Sequence, residues 1–97
     1  MNPFELLKNA QAIKEQMTKM QDILPTIQAT GNAGAGMVTI TLNGTFTVVD
    51  VTIEEVAVED LQTLQLLIRS AFNDASAKLQ QKLQDEGLKA VSMMGQS

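Results

Sequence analysis

Between positions 6 and 27 the apolar residues Leu6, Ala10, Ile13, Met17, Met20, Leu24 and Ile27 recur at alternating spacings of four and three. This is an unbroken heptad seam, and only a long helix gathers all of these side chains on one side. Between the seam positions lie Lys8, Gln11, Glu15, Thr18, Lys19 and Asp22, with Lys8 and Lys19 facing away from the seam into solvent. Glu15 and Lys19 form a favourably oriented i, i+4 pair. Asn2 followed by Pro3 supplies an N-cap and a first-turn residue, whereas Pro25 loses a hydrogen bond and clashes one turn back. The spacing predicts a helical arm over 1–24, ending or kinking near Leu24.

A second helix is predicted over 59–86. Glu59 and Asp60 place negative charge at its start and Gly87 stands as its C-terminal cap. Its apolar stripe, Leu61, Leu64, Ile68, Phe72, Ala75, Leu79 and Leu83, follows an eleven-residue repeat that keeps the stripe nearly straight. Leu66 and Leu67 widen the apolar face of the first turns and mark that half as the more buried, while Ser76 to Glu86 are expected to project into water. Residues 88–97 read as a flexible tail.

The intervening segment, 27–53, alternates β-branched and polar residues around Asn43-Gly44, a strong hairpin signal. A three-residue loop, Leu42-Asn43-Gly44 with Gly44 left-handed, pairs Ile40 with Phe46 and Val38 with Val48 on one face and leaves Thr39, Thr41, Thr45 and Thr47 on the other. Beyond Val48 the apolar phase flips to Val49, Val51 and Ile53, which calls for a bulge near 48–49 or burial on both faces. The run Thr30-Gly31-Asn32-Ala33-Gly34-Ala35-Gly36 has neither the order nor the following helix of a phosphate loop. It reads as part of a short first strand, Ile27 to Ala33, followed by glycines that allow sharp bends and close backbone approach. The whole is a single α+β domain, 1–97: long N-terminal helix, three-stranded antiparallel sheet, long C-terminal helix.

Composition narrows the chemistry. The 97 residues include no Cys, His, Trp or Tyr and three Phe. A disulfide framework, a thiolate nucleophile, an Fe-S cluster and a zinc finger are thereby excluded, a general base would have to be a strongly shifted carboxylate or Lys, and a reducing cytosolic setting is the natural reading. The carboxylate pairs Glu54-Glu55 and Glu59-Asp60 are better explained as a solvated turn and a helix start than as acid/base or cation-binding groups, so no enzyme, cofactor, metal or small-molecule substrate is expected. No stretch reaches the roughly 18 uncharged apolar residues of a membrane span, and the N-terminus lacks a secretory pattern. So few aromatics make a thin core for a chain of this size, and an oligomer is expected.

The formal net charge is −4, but it is segregated. Lys8, Lys14 and Lys19 make residues 1–19 net +1, and Arg69, Lys78, Lys82 and Lys89 make residues 69–97 net +1. Residues 20–68 hold Asp22, Asp50, Glu54, Glu55, Glu59 and Asp60 with no cation, a local −6.

A helix with a Met/Gln-rich seam, the run TGNAGAGMVTITLNG, then VxI, an acidic turn and IRSAFNDASAK stand here in the order of a known family. Over roughly residues 2 to 86 the chain resembles the YbaB/EbfC family of bacterial nucleoid-associated proteins. The most specific positions are Thr30-Gly31, Ala33-Gly34, Gly36, Val38, Asn43-Gly44 and Ala71-Phe72-Asn73-Asp74-Ala75. The resemblance implies a homodimer joined through its sheets, helical arms projecting like tweezers onto duplex DNA, and action in the cytoplasm at the nucleoid on DNA packing and gene expression. The chain departs from the family where Thr39, Thr41, Thr45, Thr47 and Val49 stand at positions that commonly include Lys, which leaves the sheet without a basic residue. DNA contact is then expected from Lys8, Lys14, Lys19, Arg69, Lys78 and Lys82, with Lys89 near the end, counted twice in a dimer. With a single Arg and no Trp or Tyr, such contact is to backbone and shape rather than to bases. The alternative, drawn from the overall acidity, is a dimeric protein-interaction module using the seam or Met93-Met94 without DNA binding. A sheet-joined dimer makes Ile40 and Val51 the expected places where a charge abolishes dimerisation.

Overall fold

The computed structural model describes residues 2–94, with side chains over 2–87. In chain order it has helix α1 (Pro3–Ile23), a 3-10 turn (Leu24–Thr26), strands β1 (Gln28–Ala33), β2 (Val38–Asn43) and β3 (Val48–Ile53), a second 3-10 turn (Glu55–Glu59) and helix α2 (Leu61–Met94). The strands form one antiparallel sheet in the order β1-β2-β3. Helix, three-stranded sheet and helix thus follow one another as the sequence predicts.

Helix α1 starts as its first residues dictate: the Asn2 side chain accepts from the Phe4 amide at 3.0 Å with Pro3 in the first turn. It stops at Ile23 because Pro25 admits only a tighter 3-10 turn. Every residue of α1 is exposed, so its apolar seam lies open to solvent. The chain is correspondingly elongated, 67 × 21 × 17 Å, with a radius of gyration of 19.3 Å. A compact domain of this length has about 12–13 Å.

The core is the face of β1 and β2 that lies under α2. Ala29, Val38, Ile40 and Leu42 from the strands meet Ala71, Ala75 and Leu79 from the helix, with Ala57 beside them. Ala71 and Ala75 are small for a reason: Gly31 of β1 runs against the α2 backbone there, where an added methyl would overlap the Ala75 amide and the Ala71 carbonyl. The buried stripe therefore runs through Ala71, one position before the expected Phe72. Ile68 and Phe72 flank it, 37% and 38% exposed, and Leu61 and Leu66 stand out in solvent. The burial is deepest at Ala71 to Leu79, not in the first turns, because that is where the helix crosses β1.

Two local expectations are corrected. The β2–β3 loop is wider than three residues: the Asn43 carboxamide oxygen accepts from the Thr45 amide (2.9 Å), the Thr45 hydroxyl (2.6 Å) and the Thr47 amide (3.2 Å). This holds the chain open to Thr47, whose carbonyl accepts from the Asn43 amide, and gives the left-handed backbone to Phe46 (φ 60°) instead of Gly44. The register becomes Leu42 opposite Val48, Ile40 opposite Val51 and Val38 opposite Ile53, with Val49 as the extra residue of the expected bulge. Gly44 serves another end: its amide donates to the Leu24 carbonyl at 2.9 Å, and a methyl there would overlap that carbonyl. The hairpin thus seats the base of α1. The second correction concerns Gly87, which caps nothing; α2 continues to Met94 through good helix formers, one glycine costing only about 1 kcal/mol in a helix of this length. Of the expected tail, residues 95–97 lie outside the described residues, as do the side chains of Lys89, Met93 and Met94.

Because no neighbouring side chain can yield at Gly31, Gly31→Ala is expected to lose at least about 3 kcal/mol in urea unfolding, whereas Gly87→Ala leaves stability equal or slightly higher.

Candidate nucleic-acid interface

The expected basic residues fall into two groups. Lys8, Lys14 and Lys19 sit on α1, away from the folded body, and none of their ammonium groups makes a hydrogen bond or ion pair among the described residues, the Glu15–Lys19 pair that the spacing offers included. Lys8 and Lys19 are eleven residues apart, three helical turns, so they share one side of α1 about 16 Å from each other. Lys14 and Lys19 line a shallow open groove with Glu15 and Thr18. Arg69, likewise without a partner, borders a second open depression with Gln62, Gln65 and Leu66 on α2. Uncommitted cations on an exposed helix can follow a phosphate backbone without disturbing the fold.

Lys78 and Lys82 are placed differently. The Lys78 ammonium lies 2.9 Å from the Asp74 carboxylate, and the same oxygen, Oδ2, accepts the backbone N–H of Asn32 at 3.0 Å. Lys82 donates to the backbone carbonyl of Gln28 at 2.7 Å. Both lysines are tied to the sheet region that α2 covers, directly or through Asp74. Charge spacing along α2 shows the Asp74–Lys78 pair, but which strand the pair touches is decided only by the packing of α2 on β1.

Two carboxylates are held below their ordinary value of 3.8. For Asp60 the chief cause is the Thr63 hydroxyl, joined by the Thr63 and Gln62 amides at the start of α2. For Asp74 it is the hydrogen bond from Lys78, then the Asn32 amide. Among the described residues no three acidic side chains gather as a metal site, and no helix is long and apolar enough to cross a membrane.

Against this geometry, residues 1–94 match the YbaB/EbfC DNA-binding family over nearly the whole chain. The chain belongs to that family. Among its relatives are proteins named nucleoid-associated protein from Coxiella burnetii strains Dugway 5J108-111 and RSA 331 / Henzerling II, each 38% identical over 91 residues, which cover 93% of this chain and 83% of the relative. The same fold occurs in the crystal structure of an uncharacterized protein from Helicobacter pylori, with a TM-score of 0.80, 22% identity, and 94% of this chain and 98% of that one covered. Membership agrees with the resemblance carried by the Gly31 and Ala71–Ala75 segments, which the fold brings into direct contact.

Both depressed carboxylates stabilise the folded state above 3.8, and this contribution fades as pH falls through their lowered folded values. Asp60→Asn and Asp74→Asn are therefore expected to lower the urea midpoint at neutral pH, and the gap to the parent is expected to close in strong acid.

Proposed function

We propose that this protein acts as a homodimer that binds duplex DNA through the phosphate backbone, shaping nucleoid DNA and thereby gene expression in the cytoplasm. The observation that carries the reading is α1, a helix that leaves the body entirely exposed with Lys8, Lys14 and Lys19 uncommitted, while the anionic residues concentrate between positions 20 and 68. Helix α1 also carries Glu5, Glu15 and Asp22 and is neutral over Pro3–Ile23, so it is the unpaired ammonium groups themselves that can meet a polyanion, while Glu54, Glu55, Glu59 and Asp60 lie between β3 and α2. Family membership and the names of the relatives support the same reading. Arg69 is the α2 cation best placed to assist, since Lys78 and Lys82 already serve the fold.

A second copy is the occupant that the bare sheet calls for. Helix α2 covers β1 and β2 and leaves β3 with Val48, Val51 and Ile53 exposed on the very face that is buried next door. An antiparallel edge strand pairs with its own copy about a two-fold axis, joining the two apolar surfaces as well as the backbones. Ile40 is already 4% exposed beneath α2, so a charge there attacks folding; Val51, 48% exposed, is the proper probe of dimerisation.

Val51→Glu is accordingly expected to give a folded monomer by light scattering, and an unchanged mass would remove the β3 contact. For DNA, anisotropy of a labelled random duplex of about 30 base pairs is expected to show log K falling with log salt at a slope of about −5 if the α1 lysines of both copies meet phosphates. Lys8→Gln/Lys19→Gln is expected to reduce that slope to about −2. Absence of binding at low salt, with protein partners that survive nuclease treatment, would favour the interaction-module reading.

A further inference from the structure

The two edges of the sheet are treated differently. In an antiparallel strand, backbone groups of alternate residues point to the same edge. Within β1, residues 29, 31 and 33 turn theirs toward β2, and residues 28, 30 and 32 turn theirs outward, as the contacts of Asn32 and Gln28 with α2 show. An open edge of this kind is a template for another strand.

On β1 that template is occupied. Asp74 accepts the outward N–H of Asn32 at 3.0 Å, Lys82 donates to the outward carbonyl of Gln28 at 2.7 Å, and Lys78 holds the Asp74 carboxylate in place at 2.9 Å. The spacing fits: Asp74 and Lys82 are separated by about 12 Å of helix, and Asn32 and Gln28 by about 13 Å of strand running the other way. Positions eight apart drift by about 80° around a helix, and the long Lys82 stem takes up the difference where a short side chain sufficed at Asp74. The outward groups of Thr30 are flanked on both sides. On β3 no side chain among the described residues bonds to the outer backbone edge, and all six residues are exposed.

We propose that Asp74, Lys78 and Lys82 guard the β1 edge against strand addition, so that the sheet can be extended only through β3 and assembly closes at two copies. A chain with two open edges joins head to tail without limit; a chain with one open edge pairs once, isologously, and stops. The acidic and basic residues of α2 thereby act on the size of the assembly, and the number of DNA-contacting arms per particle follows from it. The proposal rests on the homodimer reading only for where assembly stops; the closure of β1 is a property of one copy.

The first test is amide hydrogen exchange by NMR on the parent protein. Asn32 is expected to be protected, and Asp74→Ala to accelerate its exchange at least about tenfold while Gly31 and Ala33 keep their protection. Light scattering over a concentration series then compares the parent with Asp74→Ala/Lys82→Met. The parent is expected to stay at two copies and the variant to grow beyond two, and Thr30→Pro, which removes only an outward N–H, to return the variant to two. Should the double variant lose its circular-dichroism signature, Lys82→Met alone, with a similar stem, carries the mass measurement. A freely exchanging Asn32 amide in the parent, or a folded guard variant with the parent's mass at every concentration, overturns the proposal. A parent that is monomeric refutes the dimer reading instead, and the growth or constancy of the guard variant still decides whether β1 is closed.

Discussion

The close approach of β1 to α2 at Gly31 is the contact on which the rest of this structure depends. Backbone meets backbone there, with Ala71 and Ala75 on the helix and no side chain on the strand. Such proximity draws Val38, Ile40 and Leu42 of the neighbouring strand under the same helix and so makes a core from small residues. It also fixes the lateral position of α2 over β1 and β2, which leaves β3 bare. One tight contact thus explains a well-packed half of the sheet and an uncovered half.

The placement of charge follows from that offset. Because α2 runs beside the β1 edge, the residues on its flank reach strand backbone, and Asp74, Lys78 and Lys82 become part of how the sheet ends. Helix α1, which joins the body through the Leu24 corner and the Gly44 amide, carries cations with nothing to pair with among the described residues. The same residue type, lysine, therefore has two roles here, set by which helix lies against the sheet. In the proposed reading, the uncommitted group on α1 is the one that meets a phosphate backbone.

The element order was legible because each signal was local. Asn2-Pro3 and Pro25 bound α1, β-branched alternation marks β2 and β3, and the phase flip after Val48 announces the bulge at Val49. The structure departs from the local pattern where a residue answers to a distant or unexpected partner. Asn43 spent its carboxamide on Thr45 and Thr47 and widened the hairpin, and Gly44 was required by the Leu24 carbonyl instead of by a left-handed turn. Ala71 took the buried place expected of Phe72 because only a small residue lets the helix meet Gly31.

Sequence by itself determined that this chain makes two long helices around a small antiparallel sheet, that its cations lie toward its ends, and that it has no thiol or imidazole for chemistry. These properties depend on residue type and on spacings within a few turns or one strand pair. Tertiary structure decided which lysines are available and which sheet edge is open. Those depend on where α2 sits across the sheet, a position set by the backbone contact between Gly31 and the Ala71–Ala75 turn, residues forty positions or more apart in the chain.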